Sequence, residues 1–260
     1  MAPIEYARIA DLYDVYVQTT FDISFFLNEA KKSAGEVLEL TSGTGRVSIP
    51  LVEAGIHLTC VDSSPEMLAI LREKLDRRGL SASVHRMDIR QLALGRRFDL
   101  IIIPFHSFAE LLSPSDQRRT LVGIYDHLSE SGRFICTLHN PPVRLRPADG
   151  RLRLRGRCSL ESDGGTLLLW GLETYDPEEG VVNGLQFFET YDPDGVMRSR
   201  RVLETRFRLL QKAGFEELVC AAGFEVVALY GDYAYAEFQE DKSPFMIWVL
   251  QKQGRLQKWG

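Results

Sequence analysis

The segment VLELTSGTGR, from Val37 to Arg46, decides the fold that we expect for this chain. Its first four residues have the character of a buried strand, Gly43 and Gly45 follow, and RVSIPLVEAG continues with apolar residues at helical spacing. Two glycines one residue apart let a backbone approach a ligand closely, and the next helix presents unpaired N–H groups. The segment therefore predicts a strand, a glycine turn and a helix around a nucleoside ligand.

An acidic residue follows the glycines at the sequence spacing that is typical of nucleoside-binding folds. The second apolar strand, HLTCVD, ends at Asp62, about 20 residues after the glycines. A carboxylate in this position can accept hydrogen bonds from both ribose hydroxyls of an adenosine. Asp62 is therefore the first candidate ligand-binding side chain.

Strands and helices alternate beyond this unit. We predict strands over 36–41, 57–62, 82–87, 98–103 and 132–139, and helices over 45–54, 65–78 and 114–129. This alternation indicates an α/β fold with a doubly wound, mostly parallel sheet and ligands beyond the carboxyl ends of its strands. A helix over 213–222 and strands over 224–231 and 245–252 would complete a seven-stranded, Rossmann-like sheet, with the last strand antiparallel.

Two segments do not follow the alternation. Residues 1–34 carry aromatic and aliphatic residues at the spacing of amphipathic helices, which we expect over the carboxyl end of the first strand. Residues 144–208 contain strand-like runs divided by turn signals and predict an antiparallel β insertion of roughly 60 residues that covers the site. The expected domains are 1–143 together with 209–260, and the insertion 144–208 as a cap.

The composition of the chain argues against some classes of binding partner. The net charge of −5 and pI of about 5.6 present no basic surface for nucleic acid or anionic lipid, so we expect neither as a partner. The sequence has four cysteines and no CxxC pair, so we expect buried thiols in a reducing compartment. They are Cys60, Cys136, Cys158 and Cys220. The N-terminus shows no signal-peptide pattern, and we expect a soluble cytoplasmic protein with no metal site. The oligomeric state stays open, with a homodimer among the alternatives.

In order along residues 1–252, the motifs resemble those of the class I S-adenosylmethionine (SAM) dependent methyltransferases. The matching segments are VLELTSGTGR, VDSSPEML, HRMDIRQL, FDLIIIPFHSFAEL and LSESGRFICTLHNPP. The aromatic N-terminal helices, the insertion and the ending AGFEVVALYGDY resemble the small-molecule branch, which includes aminosugar N,N-dimethyltransferases and glycine N-methyltransferases. The resemblance implies methyl transfer from SAM to a nitrogen or oxygen of a small metabolite, with S-adenosylhomocysteine as the product.

The resemblance also implies a set of cofactor-binding residues. These are Tyr13, Glu39, Thr41, Ser42, Gly43, Gly45, Asp62, Ser63, Met67, Met87, Asp88, Ile89, Pro104 and Phe105. Glu39 would hold the SAM ammonium, Asp62 the ribose, and Met67 and Met87 the faces of adenine. Two residues depart from the family pattern, since Thr41 replaces a usual glycine and Glu39 a usual aspartate.

Methyl transfer from a sulfonium is an in-line displacement, and most of its catalysis comes from alignment in a dry pocket. An amine or hydroxyl must still lose a proton, and a histidine is the usual acceptor near neutral pH. His106, just past the fourth strand, is the first candidate base, His139 the second and Glu110 the third. The resemblance puts Tyr13 at the methyl end of SAM, so Tyr13 is a further candidate catalytic residue, although not as a base.

Several alternatives stay open. The aromatic residues of the insertion fit either a lid over an amine or the core of the insertion, and they are Trp170, Phe187, Phe188 and Tyr191. Gly43, Gly45 and Ser48, followed by Asp62, also resemble the dinucleotide fingerprint of a nicotinamide or flavin oxidoreductase. A further alternative is a protein that binds SAM without catalysis, as a sensor or as a subunit of an RNA-methylating complex.

Overall fold

The computed structural model describes residues 4–33, 35–161 and 164–253, which form two β-sheets. The strands of the larger sheet are β1 (Val37–Leu40), β2 (Leu58–Asp62), β3 (Ser83–Arg86), β4 (Phe98–Ile103), β5 (Leu128–His139), β10 (Phe224–Tyr230) and β11 (Phe245–Lys252). They lie in the order β10–β11–β5–β4–β1–β2–β3. The first five pair in parallel, whereas β11 is antiparallel to both β5 and β10. The doubly wound, seven-stranded fold and its antiparallel last strand are confirmed.

Helices connect these strands. The α-helices are α1 (Ala10–Tyr16), α2 (Ile23–Lys31), α3 (Ser48–Glu53), α4 (Pro65–Arg78), α5 (Pro114–His127), α6 (Pro141–Arg144) and α7 (Lys212–Ala221). Ser64 caps α4 by accepting a hydrogen bond from the backbone N–H of Met67, and Ser113 caps α5 in the same way. The helix predicted from residue 45 begins only at Ser48, because Gly45 has a φ of 87° and cannot form a right-handed helical turn. None of the described helices is long and apolar enough to cross a bilayer.

The core lies on both faces of the larger sheet. Along β4, Ile101 and Ile103 contribute to one buried cluster, and Leu100 and Ile102 contribute to the other. All four side chains are fully buried. A strand covered on both faces has no polar side to present, which explains the continuous apolar run in this part of the sequence.

The second sheet is antiparallel and follows β5, as predicted. Its strands are β6 (Arg153–Ser159), β7 (Thr166–Asp176), β8 (Val181–Tyr191) and β9 (Met197–Arg208), in the order β6–β7–β8–β9. One face, the inner face, packs Leu167, Leu169, Phe188 and Leu203 against Ile9 and Leu12 of the N-terminal segment. Phe188 is thus a core residue. Trp170 and Phe187 are paired across β7 and β8 on the opposite, outer face.

Candidate active site

A cavity of about 1220 Å³ lies at the carboxyl ends of the parallel strands. One set of lining residues, which we call the cofactor wall because the sequence analysis expects these residues at the cofactor, consists of Thr41, Gly43, Asp62, Ser63, Met67, Met87, Asp88, Ile89 and Phe105. A second set, which we call the substrate wall, includes Tyr6, Tyr13, Tyr16, Glu110, Gln186 and residues of β9. The volume exceeds the roughly 300–1,000 Å³ of a pocket for one drug-sized ligand, so there is room for two molecules side by side.

The two glycines of the loop after β1 have different structural roles. A Cβ added to Gly43 would meet no atom within 4 Å, so this backbone faces open space in the cavity wall. A Cβ added to Gly45 would lie 2.4 Å from Cδ1 of Leu71, so Gly45 is required for packing against α4. Thr41 also has a left-handed backbone, with a φ of 59°, although a β-branched residue is strained there. The conformation that glycine usually supplies is therefore retained in this chain.

Asp62 at the end of β2 holds this loop in place. Its Oδ2 accepts a hydrogen bond from the backbone N–H of Gly43 at 2.8 Å, and its Oδ1 accepts one from Ser64 at 2.9 Å. Burial raises the pKa of the Asp62 carboxyl, and the backbone hydrogen bonds oppose that effect. Each carboxylate oxygen has a second lone pair, so Asp62 can still accept from two ribose hydroxyls.

The other residues of the cofactor wall that we describe are three apolar side chains and Asp88, which forms an ion pair with Arg90. Met67 is buried in the first turn of α4, and Met87 and Ile89 follow β3. Asp88 accepts hydrogen bonds from the guanidinium of Arg90, and this contact lowers the pKa of the Asp88 carboxyl. An adenine ring fits between such methionines, since thioether side chains adapt to flat apolar ligands.

Four residues expected at the cofactor do not line the cavity, namely Glu39, Ser42, Gly45 and Pro104. Glu39 is 1% exposed and accepts a hydrogen bond from Oγ of Ser48 at 2.5 Å. Burial raises its pKa to about 8. Glu39 thus bonds to the first turn of α3, and this arrangement does not support the ammonium-binding role expected for it.

The turn after β4 is strained at two successive residues. Phe105 has a φ of 57° and His106 a φ of 66°. Phe105 lines the cavity, and the guanidinium of Arg46 lies 4.6 Å from its ring centre. Two non-glycine residues in the left-handed region cost free energy, which is commonly stored next to functional sites.

Neither candidate histidine lies at the expected position in the cavity. The rings of His106 and His139 stack with their centres 3.7 Å apart, and neither residue lines the cavity. Burial lowers the pKa of His106 to about 3 and that of His139 well below its ordinary value, and Arg144 adds to both effects. Neither ring reaches the cavity, and a lowered pKa makes a histidine a weak proton acceptor, so this geometry does not support either histidine as the base.

Glu110, the third candidate base, does line the cavity, and its pKa is suitable for accepting a proton near neutral pH. The hydroxyl of Tyr6 donates to its Oε1 at 3.0 Å, and burial raises the pKa of Glu110 to about 7. The ring of Tyr13 contacts both Tyr6 and Tyr16 edge to face. The sequence placed Glu110 third and missed Tyr6, whose signal was its position seven residues before Tyr13 on the same helical face.

Ion pairs fix the N-terminal segment to the cofactor loop. Asp22, fully buried, accepts two hydrogen bonds from the guanidinium of Arg46 at 2.5 and 2.7 Å. Asp14 accepts one from Thr44 at 2.7 Å and pairs with Lys74 at 2.6 Å. The two walls of the cavity are thus joined by buried and half-buried polar contacts.

Comparison with known proteins agrees with this geometry. A family model described as a methyltransferase domain matches residues 37–132. The glycine/sarcosine N-methyltransferase of Halorhodospira halochloris is 30% identical over 94% of this chain and 86% of its own length, and that of Aphanothece halophytica is 29% identical over 93% and 86%. The CcbJ methyltransferase of Streptomyces caelestis superimposes with a TM-score of 0.79, at 24% identity, over 95% of this chain and 96% of its own.

These relatives are methyltransferases, and none of them supports the oxidoreductase alternative. The residues present fit SAM. The backbone at Gly43 is open to the cavity, Asp62 has lone pairs for the ribose hydroxyls, and Met67 and Met87 provide apolar surface for the adenine. The chain belongs to the family of SAM-dependent methyltransferases that act on small molecules.

Proposed function

We propose that this enzyme methylates the nitrogen of a small amine that binds between the cofactor wall and Glu110. The observation that carries this proposal is the buried carboxyl of Glu110, whose pKa is raised to about 7. A carboxylate in this position attracts an ammonium group and can then accept its proton. The relatives that are named for glycine and sarcosine also act on amines.

SAM would supply an electrophilic methyl group when bound. Gly43 and Asp62 would hold its polar parts, and Met67 and Met87 would pack beside its adenine. Tyr13, Thr41, Ser63, Asp88, Ile89 and Phe105 complete the proposed binding residues. This set keeps ten of the residues that the sequence indicated and omits the four that do not line the cavity.

The chain's own groups would align the amine and remove its proton. The carboxylate of Glu110, held by the Tyr6 hydroxyl, binds the substrate ammonium and takes one proton from it before attack. The rings of Tyr13 and Tyr16 exclude water and offer their faces to the cationic nitrogen. Most of the rate would come from this alignment in a water-poor cavity.

The proposal is tested with matched substrate pairs. Release of S-adenosylhomocysteine is measured with glycine, sarcosine and an aminosugar, and with the analogue of each in which a hydroxyl replaces the amine. We expect turnover with at least one amine and at least 100-fold less with its hydroxyl analogue. Faster methylation of the hydroxyl analogues, or of RNA, would reject an amine substrate.

We also infer a cytoplasmic location and no nucleic-acid partner. The cysteines Cys60, Cys136, Cys158 and Cys220 are free thiols. Unbridged thiols are typical of a reducing compartment. The net charge of −5 is unfavourable for binding a polyanion.

We propose a homodimer that forms through the outer face of the second sheet. Register places Leu154, Trp170, Phe187 and Val202 in one row across its four strands. Leu154 is 50% exposed and Val202 38%. Arg157 and Glu204 lie on the two edge strands of the second sheet and are exposed, and Glu204 also lines the cavity. Two copies related by a twofold axis would therefore bring Arg157 of one copy to Glu204 of the other.

Sedimentation velocity tests the dimer. Leu154→Glu should convert a dimer to a monomer, since a buried unpaired carboxylate opposes association. Val122→Glu, at a 53% exposed position on α5, is the matched control and should stay dimeric. A monomeric wild type at micromolar concentration would reject the homodimer.

A further inference from the structure

The basic side chains of the cavity differ in whether a carboxylate neutralises them. Four arginines line the cavity, namely Arg8, Arg90, Arg206 and Arg208. Three of them form ion pairs, Arg8 with Glu5, Arg90 with Asp88 and Arg206 with Glu179. Among the described residues, Arg208 is the cavity arginine that pairs with no carboxylate.

Arg208 is nevertheless held in a defined position. Its Nε donates a hydrogen bond to the carbonyl oxygen of Leu112 at 2.7 Å, which leaves the two Nη groups for another acceptor. The turn between β7 and β8 lies beside it, because the N–H of Leu209 donates to the carbonyl of Gly180 at 2.9 Å. Glu179 in this turn is already engaged by Arg206. A guanidinium fixed through Nε presents a fork that matches a carboxylate or a phosphate.

The surroundings of Arg208 favour an anion as well. Leu112, Ser113 and Pro114 line the cavity where α5 begins, and α5 has 14 residues. The N-terminus of such a helix carries partial positive charge. Leu112 follows Glu110 by two residues, so the hydrogen bond to Leu112 ties Arg208 to the segment that carries the proposed amine-binding carboxylate.

We propose that Arg208 binds an anionic group of the substrate, a carboxylate or a phosphate, while the substrate amine meets Glu110. This inference rests on the proposed amine methylation and assigns the second recognition group to the same cavity. The substrate is then an amine that also carries a negative charge. Its anionic end would fix the distance of the nitrogen from the methyl donor, so Arg208 is a specificity-determining residue.

Turnover with matched amines tests the specificity. The probes are glycine against glycinamide and phosphoethanolamine against ethanolamine, which separate a carboxylate from a phosphate and each from a neutral amine. In the wild type, we expect kcat/KM at least tenfold higher for one anionic probe than for its neutral partner. Arg208→Gln should lower kcat/KM for the anionic probe at least tenfold and so abolish that preference. Arg208→Lys, which keeps the charge without the fork, should retain part of it.

Arg97→Gln is the matched control, because Arg97 is exposed and pairs with Glu130 away from the cavity. It should keep the full preference. A wild type that uses neutral and anionic amines equally well, or an Arg208→Gln variant that keeps the preference, would overturn the proposal. An unchanged melting temperature and unchanged SAM affinity in Arg208→Gln would exclude misfolding.

A binding measurement separates this proposal from amine methylation itself. Malonate and inorganic pyrophosphate are titrated calorimetrically into the protein loaded with S-adenosylhomocysteine. At least one of them should bind the wild type and should bind Arg208→Gln at least tenfold more weakly. This result without turnover of any amine probe would support the anion site and reject the amine substrate. Amine turnover with no binding that depends on Arg208 would reject the anion site alone.

Discussion

The cofactor wall and the substrate wall of the cavity are built in different ways. The cofactor wall depends on backbone hydrogen bonds between close segments, such as Gly43 to Asp62, which are 19 residues apart. The substrate wall depends on side chains from distant segments, such as Tyr6 and Glu110, which are 104 residues apart. Backbone geometry can survive a change of side chain, as Thr41 shows by adopting a left-handed conformation. The Tyr6–Glu110 contact, in contrast, depends on the functional groups of the two side chains themselves.

The contact that joins the two walls should give the largest effect on stability. Asp22 is fully buried, and the side chain of Arg46 is only 14% exposed. Asp22→Asn leaves the Arg46 charge unpaired, so we expect the free energy of unfolding to fall by about 3–5 kcal/mol. Denaturant titration measures this change.

The control for this prediction is the exposed pair between Glu53 and Arg78. Glu53→Gln should change the free energy of unfolding by less than about 1 kcal/mol, since water screens such pairs. Equal effects of the two substitutions would show that the Asp22–Arg46 contact does not join the walls.

Glu110→Gln should give the next largest effect, confined to the substrate wall. Loss of the proton acceptor should lower kcat about 100-fold, equivalent to about 2.7 kcal/mol, with SAM affinity within twofold of the wild type. The active form is the carboxylate, so wild-type activity should fall as pH decreases through about 7. Steady-state kinetics across pH checks both outcomes.

The control is Glu217→Gln, the same substitution at an exposed position on α7. It should leave kcat and the pH profile unchanged. A less than threefold fall in kcat for Glu110→Gln would remove Glu110 from the mechanism.

Asp62→Ala should act on the cofactor wall alone. It removes the acceptor for two backbone N–H groups and for the ribose, so SAM should bind at least tenfold more weakly, about 1.4 kcal/mol. Isothermal titration with SAM measures the affinity. Unchanged affinity would mean that the cofactor lies elsewhere.

Tyr6→Phe should give the smallest effect and tests how the substrate wall tunes its acid. The Tyr6 hydroxyl stabilises the ionised form of Glu110, so its removal raises the pKa of Glu110. We expect the acidic limb of the kcat/KM profile to move up by roughly half a unit to one unit, since one hydrogen bond contributes about 1 kcal/mol. A profile that stays fixed would show that the limb belongs to another group.

Much of the cofactor wall could be predicted from local sequence. Asp62 ends a strand and Gly43, Met67 and Met87 come shortly after one, and the carboxyl ends of parallel strands meet at one edge of a sheet. The contact between Glu39 and Ser48 could not be predicted, because strand alternation does not reveal that the first turn of α3 reaches back to Glu39. The buried position of His106 could not be predicted, because sequence does not reveal two successive left-handed residues.

The sequence by itself determined the order of strands and helices, the glycine turn and the antiparallel insertion, because these follow from local spacing and turn chemistry. Only the tertiary structure decided which ionisable groups face the cavity. It buried His106 against His139 and brought Tyr6 to Glu110 and Arg208 to Leu112. A pKa depends on burial and on neighbours that come from distant parts of the chain, so no local pattern can specify it.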